Sequence, residues 1–158
     1  MNETYAINTE QHDYEKLQDF NKFLKLKELG KRPVKDTTDA SGFTADGHEV
    51  NIELKSRNIN INTFQTIYIE SHKIADMLLD YNIDHKIPLY INFLQDDYVV
   101  VFNLAMLKHR PEKIIKPIWS QLYQSFELGK REGLLLEDAW IYQKQNDEYV
   151  VIQRGRKK

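Results

Sequence analysis

Residues 37–58 read "TTDASGFTADGHEVNIELKSRN" and contain a strong turn signal. The pair Asp46-Gly47 is typical of a two-residue hairpin turn, because both residue types tolerate the positive φ angles that such turns need. After the turn, apolar and polar positions alternate: Val50, Ile52 and Leu54 share one face, and Asn51, Glu53 and Lys55 share the other. Alternation of this kind is typical of a half-buried strand. The stretch therefore predicts a hairpin whose second strand carries Glu-Leu-Lys.

The segments around this hairpin show helical and strand patterns in turn. Upstream, Leu17, Phe20 and Leu24 recur at helical spacing. They predict a helix over residues 10–29 that ends at Gly30. Downstream, the predicted elements are a strand at 64–70, a helix at 71–81, a hairpin with strands at 87–94 and 98–104, a helix around 119–126, and a hairpin at 139–153 that turns at Asn146-Asp147. This order predicts an α/β architecture with a central mixed β-sheet flanked by helices.

The composition indicates one ordinary globular domain spanning residues 1–158. The chain has no cysteine, which excludes disulfides and thiolate metal sites. We expect a cytoplasmic protein without membrane contact, because no apolar run approaches a membrane span and residues 1–10 lack signal-peptide features. The net charge of −2 argues against a polybasic binder but allows a local basic groove. Residues 154–158 form a basic tail that we expect to be solvated.

Two acidic residues in the chain stand two positions before a lysine, at 53–55 and at 84–86. The second case lies between a predicted helix and strand and is typical of a polar connection. Glu53 and Lys55 lie on one face of a strand, with Asp36 and Asp39 on or near its partner. Carboxylates on adjacent strands can bind a hard divalent cation, and a nearby lysine can orient or deprotonate a water molecule. The alternative interpretation is an ion pair on a solvated strand face.

The order of elements, together with the Asp and Glu-x-Lys residues, resembles the PD-(D/E)xK nuclease superfamily over about residues 10–103. Restriction endonucleases, phage nucleases and Holliday-junction resolvases share that core. The resemblance implies a restriction endonuclease-like fold for this chain. One position departs from the family pattern, because Thr38 stands where a proline would precede Asp39.

The resemblance also implies roles for individual residues. It implies catalysis by Asp39, Glu53 and Lys55, a magnesium or manganese ion bound by Asp39, Glu53 and Glu10, and substrate contacts from Ser56, Arg57 and Lys73. Lys55 is expected to activate or orient the attacking water. Lys73, at the start of the second helix, is expected to support DNA binding. Glu10 is preferred to Glu15 as the helix-borne ligand because Glu10 shares a helix face with Leu17.

The resemblance implies a magnesium-dependent DNA endonuclease, of the restriction, phage or junction-resolving kind, that acts as a homodimer. The alternative is a noncatalytic nucleic-acid-binding or assembly protein of the same fold. An intact Asp, Glu and Lys set favours the enzyme, since a purely structural strand does not need all three. The five histidines show no metal-ligand spacing. We expect five aromatic residues to fill core and sheet positions: Tyr68, Tyr90, Trp119, Tyr123 and Trp140.

The register of the hairpin decides which aspartate faces Glu53. A regular two-residue turn sets Asp39 on the apolar face, away from Glu53, and leaves Asp36 on the polar face. A bulge at Gly42 would shift the register by one residue and bring Asp39 to Glu53. We favour Asp39 and predict a bulge or break between Asp39 and Phe43, with Asp36 as the alternative ligand.

Overall fold

Two α-helices, two short 3-10 helices (Ile61–Thr63 and Leu136–Asp138) and ten strands make up the regular structure of residues 3–33, 38–120 and 124–155, the part of the chain that the computed structural model describes. The α-helices and strands are numbered in chain order. In chain order they are α1 (Glu3–Leu24), β1 (Lys27–Lys31), β2 (Ala40–Phe43), β3 (Glu49–Arg57), β4 (Thr66–Glu70), α2 (Ser71–Asp84), β5 (Ile87–Leu94), β6 (Tyr98–Asn103), β7 (Glu112–Ser120), β8 (Ser125–Leu135), β9 (Trp140–Gln145) and β10 (Glu148–Gln153). No helix within these ranges is long and apolar enough to cross a membrane.

Seven strands form a central mixed sheet in the order β1-β2-β3-β5-β6-β9-β10. Within it, β3 and β5 are parallel and the other neighbours are antiparallel. A parallel pair needs a crossover connection, which β4 and α2 supply here. The strands β4, β8 and β7 form a second sheet in that order. The predicted α/β architecture, a mixed sheet flanked by helices, is confirmed.

Both faces of β3 are covered by other elements. On one side, Leu17 and Phe20 of α1 belong to the same apolar cluster as the apolar face of β3. On the other side, Ile74 and Met77 of α2 pack in a second apolar cluster with β5, β6 and the small sheet. Glu53 faces this second side and is only 4% exposed. Its burial excludes the interpretation of Glu53 as part of a solvated surface ion pair.

Helix α1 is displaced toward the N-terminus relative to the prediction, since it begins at Glu3 and ends at Leu24. The side chain of Asn21 closes its last turn by accepting a hydrogen bond from the N–H of Leu26 at 2.9 Å and donating one to the Leu26 carbonyl at 3.1 Å. Lys25 follows in the left-handed conformation, with φ of 58°. The chain therefore leaves the helix early and forms the edge strand β1, where the sequence predicted the last part of the helix and its end at Gly30.

The helix predicted around Trp119 and Phe126 is wrong, because these residues face each other across a hairpin of β7 and β8. Pro117 lies on the edge strand β7, where its missing N–H is tolerated better than inside a helix. The predicted helix positions Leu122 and Tyr123 lie outside the described residues. Trp119 occupies a sheet position in β7, one of the two kinds of position predicted for it, and it is 43% exposed and so lies outside the core.

Strands β2 and β3 pair without interruption up to Phe43 and Glu49. The predicted bulge or break between Asp39 and Phe43 is therefore wrong. The extra residue lies in the turn instead, because residues 44–48 form a loop closed by backbone hydrogen bonds in place of a two-residue turn. Continued by one residue beyond β2, the observed register sets Asp39 opposite Glu53.

The hairpin of β9 and β10 turns at Asn146-Asp147 as predicted, with φ angles of 50° and 65° at the two residues. After β10, Arg154 places its guanidinium over the ring of Trp140, 5.4 Å from the ring centroid. The last part of the predicted basic tail, residues 156–158, lies outside the described residues.

Candidate functional site

Two carboxylates meet where the chain enters β2 beside β3. Glu53 is buried on β3, and Asp39 lies opposite it. Asp39 Oδ2 accepts a hydrogen bond from the backbone N–H of Leu54 at 2.8 Å, which fixes this carboxylate against β3. Burial raises the pKa of Asp39, and it raises the pKa of Glu53 to about 8. The structure thus brings together Asp39 and Glu53, the pair that we favoured from the sequence, whereas Asp36 lies outside the described residues.

The two oxygens of Glu53 have different surroundings. Oε2 accepts a hydrogen bond from Lys73 Nζ at 2.5 Å. Oε1 is buried and receives no hydrogen bond from an N–H or hydroxyl donor among the described residues. Asp39 lies close enough for the two carboxyls to share a proton, and this contact contributes to the raised pKa of Glu53. Burial lowers the pKa of Lys73, but the charge of Glu53 and its hydrogen bond outweigh that effect, so the net shift is upward and Lys73 stays a cation. Since an unpaired buried acceptor costs about 1–3 kcal/mol, Oε1 is a position where a ligand is expected.

Helix α1 brings two more carboxylates to this end of the sheet. Glu10 is half-buried, and its pKa is raised first by burial and then by the charge of Asp39, against the lowering effect of two nearby lysines. Asp13 is buried and accepts a hydrogen bond from the hydroxyl of Ser56 at 2.5 Å. The sequence interpretation did not single out Asp13. Its position three residues after Glu10, on the same helix face, is the signal that could have identified it.

A cavity of about 360 Å³ opens beside Glu53. Among the described residues that line it, four are cations and two are acids: Lys55, Arg57, Lys73, Arg131, Glu53 and Glu70. Lys55 is exposed in this cavity. Its pKa is lowered, first because the ammonium loses part of its hydration there and then by the charges of Arg57 and Lys73. A cavity with this excess of positive charge suits a phosphate group.

Arg57 and Ser56 lie on opposite faces of β3. The Nε of Arg57 donates to Asn92 Oδ1 at 2.9 Å and its Nη2 donates to the carbonyl of Tyr68 at 2.7 Å, so its charge is fixed in the cavity wall. Ser56 faces α1, where its hydroxyl donates to Asp13. The structure therefore places Arg57 where a phosphate could bind and places the hydroxyl of Ser56 against α1. A substrate contact from Ser56 stays a prediction.

A second cluster of candidate ligands is formed by His109, Glu137 and Asp138, whose ligand atoms lie within 4.8 Å of one another. The histidine spacing in the sequence did not predict it, because the three residues come together only through folding. Asp138 is buried, and its carboxylate accepts hydrogen bonds from the backbone N–H of His109 at 3.0 Å and from the imidazole Nδ1 at 2.9 Å. These contacts attach the loop before β7 to the start of β9.

Comparison with known proteins finds similarity in structure. No family model matches the sequence, and no curated protein matches it significantly. The structure is similar to that of Hjc, a Holliday junction resolvase from the archaeal hyperthermophile Archaeoglobus fulgidus, with a TM-score of 0.45 and 11% sequence identity. That similarity covers 76% of this chain and 82% of the resolvase chain.

Proposed function

We propose that this chain is a metal-dependent endonuclease that hydrolyses phosphodiester bonds in DNA. The observation that carries the proposal is the buried, unpaired oxygen of Glu53 beside Asp39, at the edge of a cationic cavity that contains Lys55. A purely structural strand gains nothing from such an oxygen, since it lowers stability. A hydrolytic site can use it to bind a cation close to the scissile bond.

The chemistry of the donor set fits magnesium or manganese. Asp39, Glu53 and Glu10 offer only oxygen atoms, which are the ligands that these hard cations prefer. We propose that these three residues bind the ion. When bound, a divalent cation supplies Lewis-acid polarisation of the phosphate and offsets the repulsion among the carboxylates.

Three basic side chains provide the remaining chemistry. Lys55 is exposed in the cavity with a lowered pKa, so it can orient the attacking water and accept its proton. Lys73 stays charged and fixes the carboxylate of Glu53 through its hydrogen bond. Arg57 adds a fixed positive charge that favours the negative charge that develops on the phosphate during attack.

The remaining features of the proposal concern assembly and location. We propose a homodimer, because a single site of this kind cuts one strand and a duplex has two. We also propose a cytoplasmic enzyme of the restriction, phage or junction-resolving kind.

The test is incubation of the purified chain with labelled DNA of several forms: continuous duplex, four-way junction, flap, gapped duplex and single strand. Cleavage of at least one form is expected with magnesium or manganese and none with excess chelator. Calcium is expected to support binding without turnover. Full cleavage in chelator would contradict the metal-dependent mechanism. Metal-independent binding of all forms without any cleavage would instead support a noncatalytic nucleic-acid-binding protein.

A further inference from the structure

Large apolar side chains are exposed on the hairpin of β7 and β8. Strand β4 pairs only with residues 131–135 of β8, and the hairpin continues past that pairing. Four of its apolar residues are Ile115, Trp119, Phe126 and Leu128, which are 67%, 43%, 70% and 79% exposed. We name these four residues the hairpin stripe.

The side chains of the hairpin stripe share one face. Antiparallel partners point to the same side of a sheet, and Trp119 pairs with Phe126 while Pro117 pairs with Leu128. Ile115, Pro117 and Trp119 alternate by two along β7 and so point the same way. The rings of Trp119 and Phe126 meet edge to face, with 5.2 Å between their centroids. A contiguous exposed apolar surface of this kind marks a binding site.

The hairpin stripe begins at the wall of the cationic cavity. Pro117, on the same face as the hairpin stripe, lines that cavity together with Lys55. By contrast, Arg131 pairs with Ile114 and lines the cavity from the opposite face of the hairpin. Trp119 follows Pro117 by two positions on the same face, about 7 Å further along the strand. A polymer with one phosphate group in the cavity therefore extends onto the hairpin stripe with its neighbouring unit.

Cations accompany the apolar side chains. Lys130 is exposed and pairs with Ile115, and the exposed Lys113 lies two positions before Ile115 on the same face, directly opposite Glu132. The two lysines therefore exceed the one acid on this face. Aromatic rings beside positive charges match single-stranded nucleic acid, whose phosphates are anionic and whose bases stack on aromatic faces. A second copy of this chain fits less well, because packing stripe against stripe would bring the same lysines together.

We propose that the hairpin stripe binds unstacked bases next to the phosphate in the cavity. The substrate is then DNA with a single-stranded segment at the cleavage point, such as a gap or a flap. This inference rests on the proposed function for the presence of a phosphate in the cavity. Continuous duplex is the poorer ligand, because its bases already stack on each other and would have to be separated first.

The experiment is a titration of fluorescent gapped DNA and continuous duplex in chelator, followed by anisotropy. Wild type is expected to bind the gapped DNA more tightly. Phe126→Leu and Trp119→Leu keep apolar bulk but lose the aromatic face, and each is expected to weaken binding of gapped DNA about tenfold. The salt dependence should not change, since no charge is removed. Ile83→Leu, at a position 66% exposed on α2, is the matched control and should bind like wild type.

Equal affinity of wild type for the two DNAs overturns the inference, as does wild-type affinity in both leucine variants. Sedimentation showing a dimer that Phe126→Asp dissociates would also overturn it and assign the hairpin stripe to a second copy. Binding that depends on the stripe, without cleavage in magnesium, would support this inference and contradict the nuclease. If both leucine variants cleave DNA like wild type, the result supports the nuclease and contradicts this inference.

Discussion

Lys55 and Lys73 are cations near the same carboxylate, but their surroundings assign them different tasks. Lys73 is hydrogen-bonded to Glu53, and its pKa is raised by that partner once the opposing effect of burial is overcome. Lys55 is exposed in the cavity among other cations, and its pKa is lowered. We therefore infer that Lys55 acts on the water and Lys73 positions Glu53.

Replacing Lys55 with alanine is expected to lower the rate of cleavage by about 10²- to 10⁴-fold, the usual effect of losing a positioned proton-transfer group. The fold should be unchanged because the side chain is exposed. Single-turnover rates and circular dichroism would measure both effects. Lys27→Ala, an exposed lysine on β1, is the matched control and should keep wild-type activity. Wild-type rates in a folded Lys55→Ala protein would contradict the assignment.

Replacing Lys73 with methionine leaves Glu53 buried without its cation. The free energy of unfolding, measured in chelator, is expected to fall by up to about 3 kcal/mol. This value lies at the low end of the usual cost of breaking a buried ion pair, because Lys73 is partly exposed. Urea denaturation measures this change. Adding Glu53→Gln to Lys73→Met should recover part of the loss, since the buried charge is then absent. If Lys73→Met has wild-type stability, the ion pair does not contribute as described.

At the scale of elements, the loop at residues 44–48 determines which aspartate reaches Glu53. Its length sets the register of β2 and β3 and thereby places Asp39 opposite Glu53. Asp39→Asn is therefore expected to abolish metal-dependent cleavage, whereas Asp36→Asn should remain active. Cleavage rates of the two variants at equal magnesium concentration test this expectation. An inactive Asp36→Asn together with an active Asp39→Asn would assign the second ligand to Asp36.

A further set of contacts joins α1 to the C-terminal hairpin. Asp19 accepts hydrogen bonds from the hydroxyl of Tyr149 at 2.6 Å and from Lys144 Nζ at 2.9 Å. These bonds, with Tyr149 contributing most, lower the pKa of Asp19 from 3.8 to about 2. Because the folded-state pKa lies below the unfolded one, the contribution is complete above the unfolded value and is lost as pH falls through the folded value.

Asp19→Asn is therefore expected to destabilise the protein above about pH 4, with a difference from wild type that shrinks between about pH 4 and pH 2. Urea denaturation of both proteins across this range measures the difference. A difference that stays constant down to pH 2 would show that the charge of Asp19 is not responsible.

At the scale of the whole molecule, the strands and turns that follow from a local residue pattern could be predicted from the sequence. Alternation along β3, the apolar runs of β5 and β6, and the turn at Asn146-Asp147 were sufficient to predict those elements. The helix predicted around Trp119 and Phe126 failed because aromatic residues there recur at helical spacing by coincidence. In the structure these residues instead belong to the hairpin in which β8 pairs with β7 over residues 125–133. Only residues 131–135 of β8 also pair with β4, about sixty positions earlier in the chain, and no local pattern reveals that second pairing.

The candidate site was predictable only in part for the same reason. Glu53 and Lys55 are two residues apart on one strand, so their shared face follows from alternation. The contact of Lys73 with Glu53 joins α2 to β3, and the neighbourhood of Glu10 and Asp13 depends on how α1 crosses the sheet. These contacts are set by packing between distant elements. The turn length that places Asp39 also could not be determined from the pair Asp46-Gly47 alone.

We propose that Glu53 and Asp39 bind a divalent cation, and electron paramagnetic resonance of added manganese measures that binding without any need for cleavage. Wild type is expected to bind manganese in the absence of DNA, and Glu53→Gln should weaken binding by at least about 10- to 100-fold. Glu137→Gln alters the separate cluster with His109 and is the matched control, expected to bind like wild type. Undiminished manganese binding in Glu53→Gln, or a loss confined to Glu137→Gln, would show that Glu53 and Asp39 do not bind the cation.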